Sequence, residues 1–184
     1  MSEPDRLDLL RRALDQNHEL IAAITPDQHA APTPCGDWDV SELVGHVVHG
    51  LDNFTATARG EKPDWSRPRP PIEGDWAAAF RGRADELLAA WQAAPEDRLP
   101  QADMQITEQA VHGWDLASAT GRTSQLDESV GESGLRWGRA TLTPEWRGAG
   151  GNNAFGEEVP VPEDAPVYDR LAGWFGRDPS RWRG

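Results

Sequence analysis

A carboxylate and an imidazole four positions apart, in the run Glu108-Gln109-Ala110-Val111-His112, are the residues of this chain best placed to do chemistry. On a helix of about 3.6 residues per turn they project from one side. Met104, Val111 and Ala119 lie on the same segment, and that side reads as its apolar one. A carboxylate in apolar surroundings is costly without a partner, so the pattern calls for something that neutralises it. A divalent metal does so, because neutral imidazole and carboxylate both ligate zinc and related ions well. The plainer alternative is an i,i+4 pair on a helix surface, which needs no ion.

Two protein ligands hold an ion weakly, so a third is expected from another helix. The remaining histidines are His18, His29, His46 and His49. After Asp39 an apolar stripe of Val40, Leu43, Val44, Val47, Leu51 and Phe54 centres near Val47. Stepping about 100° per residue puts His46 at the edge of that stripe and His49 near the opposite face. His46 is therefore the expected third ligand, and His49 is expected to face solvent or a partner chain. His18 continues the Leu14–Ile21 stripe and reads as a core histidine, while His29 has no motif around it. Two readings are open for Asp115, three residues after His112: orienting a ligand from behind, or plain helix packing and capping. Two are open for Cys35 as well, a reactive thiol ahead of a helix N-terminus or a small buried turn residue, and the second is preferred. Trp38 and Trp114 are expected to pack the helices, with the border of a pocket as the other role open to them.

These residues need helices to position them. Leu7, Leu10, Leu14, Ile21 and Ile24 repeat at three- and four-residue intervals and predict a first helix from about Pro4 to Ile24. Asp39 and Glu42 have capping-box spacing for a second. A polar, proline-rich connection from Gly60 to Gly74 separates it from a third over Asp75 to Ala94, with Trp76, Phe80, Leu87, Leu88 and Trp91 apolar. The fourth covers Ala102 to Thr120 and stops at Gly121. Asp127 to Leu142, containing Trp137, predicts a fifth helix, and Asp164 to Phe175 a short closing one. Gly148 to Asn153 reads as a flexible loop, and Val159-Pro160-Val161-Pro162 must be extended. Strand-like alternation is nearly absent. The expected fold is all-α, a four-helix bundle over residues 1–121 with a long connection between helices 2 and 3. An irregular C-terminal extension, 122–184, is expected to pack on it within one domain.

The chain has 184 residues, 18 basic and 31 acidic, for a net charge of −13. Such a surface repels nucleic acid and anionic lipid, so neither is an expected partner. No apolar run approaches the length of a membrane span. The acidic start Met1-Ser2-Glu3-Pro4-Asp5 is unlike a signal peptide. The single cysteine excludes an intramolecular disulfide. The chain reads as soluble and cytoplasmic, and a homodimer is compatible with this.

The run Thr33-Pro34-Cys35-Gly36-Asp37-Trp38-Asp39-Val40-Ser41-Glu42-Leu43-Val44-Gly45-His46 closely resembles an actinobacterial signature, Thr-Pro-Cys-x-x-Trp-x-Val-x-x-Leu-x-x-His. It belongs to the mycothiol-dependent maleylpyruvate isomerase N-terminal domain family, within the DinB-like group of metal-binding four-helix bundles. Glu108-x-x-x-His112-Gly113-Trp114-Asp115-Leu116-Ala117 resembles that family's second signature, and Phe155 through Pro179 the tail of one branch. The resemblance implies a DinB-like bundle whose metal ligands are His46, Glu108 and His112, agreeing with the helix-face argument. It implies a divalent metal, zinc first and nickel second, and mycothiol as co-substrate. It does not extend to the separate substrate domain of the isomerase, so it implies a reaction class rather than a substrate.

Three protein ligands leave a coordination position open, the arrangement of a catalytic site. A thiol there loses its proton readily, which suits a thiol-dependent isomerase or S-transferase acting on a small electrophile. Bound water and hydrolysis are the competing use. The alternative function is a non-catalytic metal- or small-ligand-binding module in stress response. Acid is expected to release the ion near or somewhat below the ordinary histidine pKa of about 6.5.

Overall fold

The structure, a computed structural model, describes residues 5–36, 38–148 and 155–182. Six α-helices carry the chain: α1 (Arg6–Ala22), α2 (Val40–Arg59), α3 (Trp76–Gln92), α4 (Ala102–Thr120), α5 (Glu128–Thr141) and α6 (Val167–Trp174). Among the described residues there is no β-strand, only two isolated bridges, Pro32 with Asp39 and Arg147 with Phe155. The fold is all-α and DinB-like, as expected.

Local signals set most helix ends. Asp39 accepts from the Glu42 backbone N–H at 2.9 Å, while the Glu42 side chain accepts from the Asp39 N–H at 3.1 Å. This reciprocal cap starts α2 where the spacing predicted it. Gly60 and Gly121 close α2 and α4 with φ of 78° and 72°, a left-handed turn that glycine adopts without steric cost. The first helix is shorter than expected: it begins at Arg6, capped by Asp5, and ends at Ala22. Its predicted start at Pro4 lies outside the described residues, as does most of the Gly148–Asn153 loop. In the C-terminal extension both expected helices form, α5 nearly as predicted and α6 shorter, starting at Val167 after Pro166 and not at Asp164.

The four long helices form a ring in which α1 and α2 each lie between α3 and α4. Antiparallel neighbours joined by short turns would not give that order, and the 60–75 connection is what lets α3 cross over. The centre is filled by Leu10, Leu43, Leu51, Leu87, Ile106, Leu116 and Trp91, all under 2% exposed. Trp91 keeps its indole N–H satisfied by donating to Gln105 Oε1 at 2.7 Å. Helix α5 packs against α4 and α1, and α6 against α5 and α4. With neighbours on so many sides, α4 is buried around nearly its whole circumference from Ala110 to Ala117.

One expectation fails inside α1. His18 is only half-buried; Asn17 takes the inward position instead, fully buried. A polar side chain is tolerated there because its Nδ2 donates to Gln109 O at 3.0 Å and Gln109 Oε1 at 2.8 Å. Gly113 is what lets α1 approach α4 so closely. A Cβ at that position falls 2.5 Å from Asn17 Oδ1 and 2.9 Å from Gln16 Nε2. Gly113→Ala gains about 1 kcal/mol of helix propensity. Overpacking two buried amides costs about 1–3 kcal/mol, and the clash is expected to win. Urea unfolding is the check, and a midpoint raised by Gly113→Ala would contradict this packing.

Candidate metal centre

His46 on α2 and Glu108 and His112 on α4 converge. Both imidazoles face one carboxylate oxygen: Glu108 Oε1 lies 3.0 Å from His46 Nε2 and 3.3 Å from His112 Nε2. One donor atom from each residue lies within 4.8 Å of the other two. His49, one turn further along α2 and half-buried rather than facing solvent, donates from Nε2 to Pro70 O at 2.9 Å and takes no part. His29 stacks on Trp76, with ring centroids 4.1 Å apart.

A second layer stands behind His112. Its Nδ1 donates to Asp115 Oδ2 at 3.0 Å, and Asp115 is fully buried. Arg177, from the segment after α6, meets both oxygens of that carboxylate: Nε to Oδ1 at 3.1 Å and Nη2 to Oδ2 at 2.9 Å. This two-pronged contact fixes the plane of the carboxylate and so the plane of the imidazole. The Arg177 Nη2 also lies 3.4 Å from Cys35 Sγ. Cys35 is half-buried at the cavity wall, and the turn it belongs to is fixed by Thr33, whose hydroxyl donates to Trp38 O at 2.8 Å. Asp37, within that turn, lies outside the described residues.

The charges separate sharply. Burial alone pushes the Glu108 carboxyl up, but the two histidines outweigh it and hold the group well below the usual carboxylate range. Burial likewise opposes the charge on His112, yet Glu108, Asp115 and Cys35 raise its pKa well above the ordinary histidine value. His46 goes the other way. Its burial, with His112 and Arg69 nearby, lowers it despite Glu108. Burial raises Asp115, and Arg177 with His112 more than reverses that.

A cavity of about 660 Å³ opens onto the trio. Trp38, Phe54, Trp65, Met104, Trp137 and Phe175 supply its apolar walls. Met104 therefore does not pack the core as the helical pattern suggested; it is 46% exposed at the cavity. Trp38 also lines the cavity, against His46 at a ring-centroid distance of 4.6 Å, whereas Trp114 is buried in the core. Two residues that sequence reasoning passed over reach the site from outside the bundle helices. Arg177 was visible only as part of a tail motif, and Arg69, whose Nη1 donates to His46 Nδ1 at 2.6 Å, carried no signal at all.

A helical bundle holding a His/Glu/His cluster at the mouth of an aromatic cavity defines the class. The family model for the mycothiol maleylpyruvate isomerase N-terminal domain matches residues 10–117. The chain belongs to this mycothiol-related family. It is also 32% identical over 182 residues to Uncharacterized protein Rv0738 of Mycobacterium tuberculosis strain H37Rv, covering 94% of this chain and 98% of that one. Uncharacterized protein MT0763 of strain CDC 1551 / Oshkosh matches with the same identity and coverage. No solved structure matches. No helix among the described residues is long and apolar enough to cross a membrane.

Proposed function

We propose that this protein binds one divalent metal through His46 Nε2, Glu108 and His112 Nε2, and works as a mycothiol-dependent isomerase or S-transferase on a small electrophile in the cytoplasm, where free thiols stay reduced. The observation that carries the reading is the convergence of the three donors, all within 4.8 Å of one another. Bonds of about 2.0–2.2 Å in a tetrahedron put neighbouring donors about 3.3 Å apart. The separations of 3.0 and 3.3 Å fit that spacing. Two imidazoles and a carboxylate suit zinc, with nickel second. Such an ion supplies a positive centre that favours thiolate over thiol at neutral pH.

The chain's own residues do the rest. Asp115 holds His112 by its Nδ1–H, which keeps Nε2 turned toward Glu108; Arg177 in turn holds Asp115. That arrangement is the usual support behind a ligating histidine. The apolar walls of the cavity suit a small electrophile with an apolar or aromatic body.

Metal content of the purified protein after zinc or nickel supplementation is the direct test. About one equivalent is expected, and less than about 0.2 equivalents would sink the reading, allowing for partial loss from a three-ligand site. Metal-dependent consumption of an electrophile by mycothiol separates turnover from simple binding. Glu108→Gln preserves size and removes the charge, so it is expected to weaken binding by at least about tenfold, about 1.4 kcal/mol. Chelator competition measures it, and an unchanged affinity would remove Glu108 from the site.

A further inference from the structure

Arg69 is an odd neighbour for a ligating histidine. Guanidinium nitrogens donate and never accept, so its contact to His46 Nδ1 at 2.6 Å makes Nδ1 the acceptor. The proton of the neutral ring then sits on Nε2, which donates to Glu108 Oε1 at 3.0 Å. A metal at Nε2 needs the opposite arrangement, with the lone pair on Nε2 and the proton on Nδ1. Two donors would then face each other across the Arg69–His46 contact. His112 has no such conflict, because its Nδ1–H already points at Asp115.

Arg69 also occupies a particular place. It stacks over Trp38, 5.7 Å from the ring centroid, and makes no ion pair among the described residues. It stands in the 60–75 connection, which is tied to α2 by Asp64 N–H donating to Asn53 Oδ1 at 2.8 Å and by His49 on Pro70. Two crevices of about 100 and 290 Å³ flank it, and His46 lines both of them as well as the main cavity. Arg69 thus fills the seam between the two crevices, against the His46 ring that also borders the main cavity.

We propose that Arg69 is a latch on the metal site: it holds His46 in the tautomer that cannot ligate, and metal binding through Nε2 releases it and opens the seam beside Trp38. The inference rests on the metal reading above. Loading the ion and freeing this end of the connection become one event, since the ring cannot satisfy both neighbours. Arg69 acts through His46, as a positioning residue.

Histidine side-chain nitrogen NMR on the full chain reads the latch directly. In metal-free protein His46 is expected to carry its proton on Nε2, and in zinc-loaded protein on Nδ1. Arg69→Met and Arg69→Gln are each expected to bind zinc at least about threefold more tightly than the unmutated chain, since the contact opposing ligation is gone. Gln has an amide oxygen that can accept from Nδ1–H, so it should be the tighter of the two. Arg67→Met removes the same charge from the same connection without touching His46, and is expected to shift affinity by less than about twofold. Metal-free His46 protonated on Nδ1, or an Arg69→Met affinity no different from that of Arg67→Met, overturns the latch. No zinc uptake by the unmutated chain overturns the metal reading and the latch together, whereas uptake with an unmoved Arg69→Met affinity overturns the latch alone.

Discussion

His46→Ala and His112→Ala are each expected to abolish stoichiometric metal uptake, while His49→Ala and His18→Ala leave it intact. The two imidazoles reach the same Glu108 oxygen from different helices, at 3.0 and 3.3 Å. Removing either leaves a two-ligand site, and an ion held by one imidazole and one carboxylate exchanges readily into buffer. His49 sits only three residues beyond His46, yet its ring is committed to the Pro70 carbonyl and not to Glu108. Metal per chain, measured by mass spectrometry after desalting, decides the matter, with circular dichroism to show that each variant has folded. Loss of metal in His49→Ala with retention in His46→Ala would mean that the site had been assigned to the wrong face of α2.

The second large effect is a metal-dependent gain in melting temperature that depends on pH. At a free metal concentration about 100 times Kd, linkage gives about 2.7 kcal/mol. For a chain of this size that is about 5–10 °C. The gain is expected in full at pH 8 and to fade toward pH 5, because protons compete for both Nε2 atoms. Without metal, the raised pKa of His112 works in the opposite sense. Its contribution to stability is complete below the unfolded value near 6.5 and is lost as pH rises through the higher folded value. Glu108, with its depressed pKa, contributes above its unfolded value and loses that contribution only in strong acid. The ion therefore has to displace a proton that His112 holds tightly, so on acidification the gain should start to fall while the pH is still above about 6.5, not near or below it as the sequence alone suggested. Thermal scans with and without zinc between pH 5 and 8 test this. An equal gain at both ends points to oxygen ligands alone.

The convergence of His46, Glu108 and His112 at the candidate site was legible in the sequence because each of the three announces itself locally. Glu108 and His112 share a helical face by spacing alone, and His46 shows as the polar residue at the edge of a long apolar stripe. Helix boundaries were legible where a cap was written in residues, as at Asp39 and Glu42 or Gly121, and drifted at α1 and α6, where end signals were weaker. The rest depends on contacts between distant parts of the chain. Asn17 is buried in place of His18 because Gln109, 92 positions later, offers it acceptors. Met104 has the pattern of a core residue, yet a cavity lies where a core would be. Arg69 and Arg177 sit in stretches with no periodic pattern to orient them, so nothing short of the folded chain brings them to the histidines.

Arg177 follows Asp115 by 62 positions. During synthesis the bundle helices and all three proposed ligands leave the ribosome well before the residue that neutralises Asp115. Until then a carboxylate destined for complete burial has only His112 to face, and burying it early is unfavourable. The nascent chain should therefore keep the C-terminal end of α4 solvated until its last helix arrives. Assembly of the site then waits on completion of the tail, so a chain interrupted between α5 and α6 could build most of a bundle and still lack a properly oriented His112.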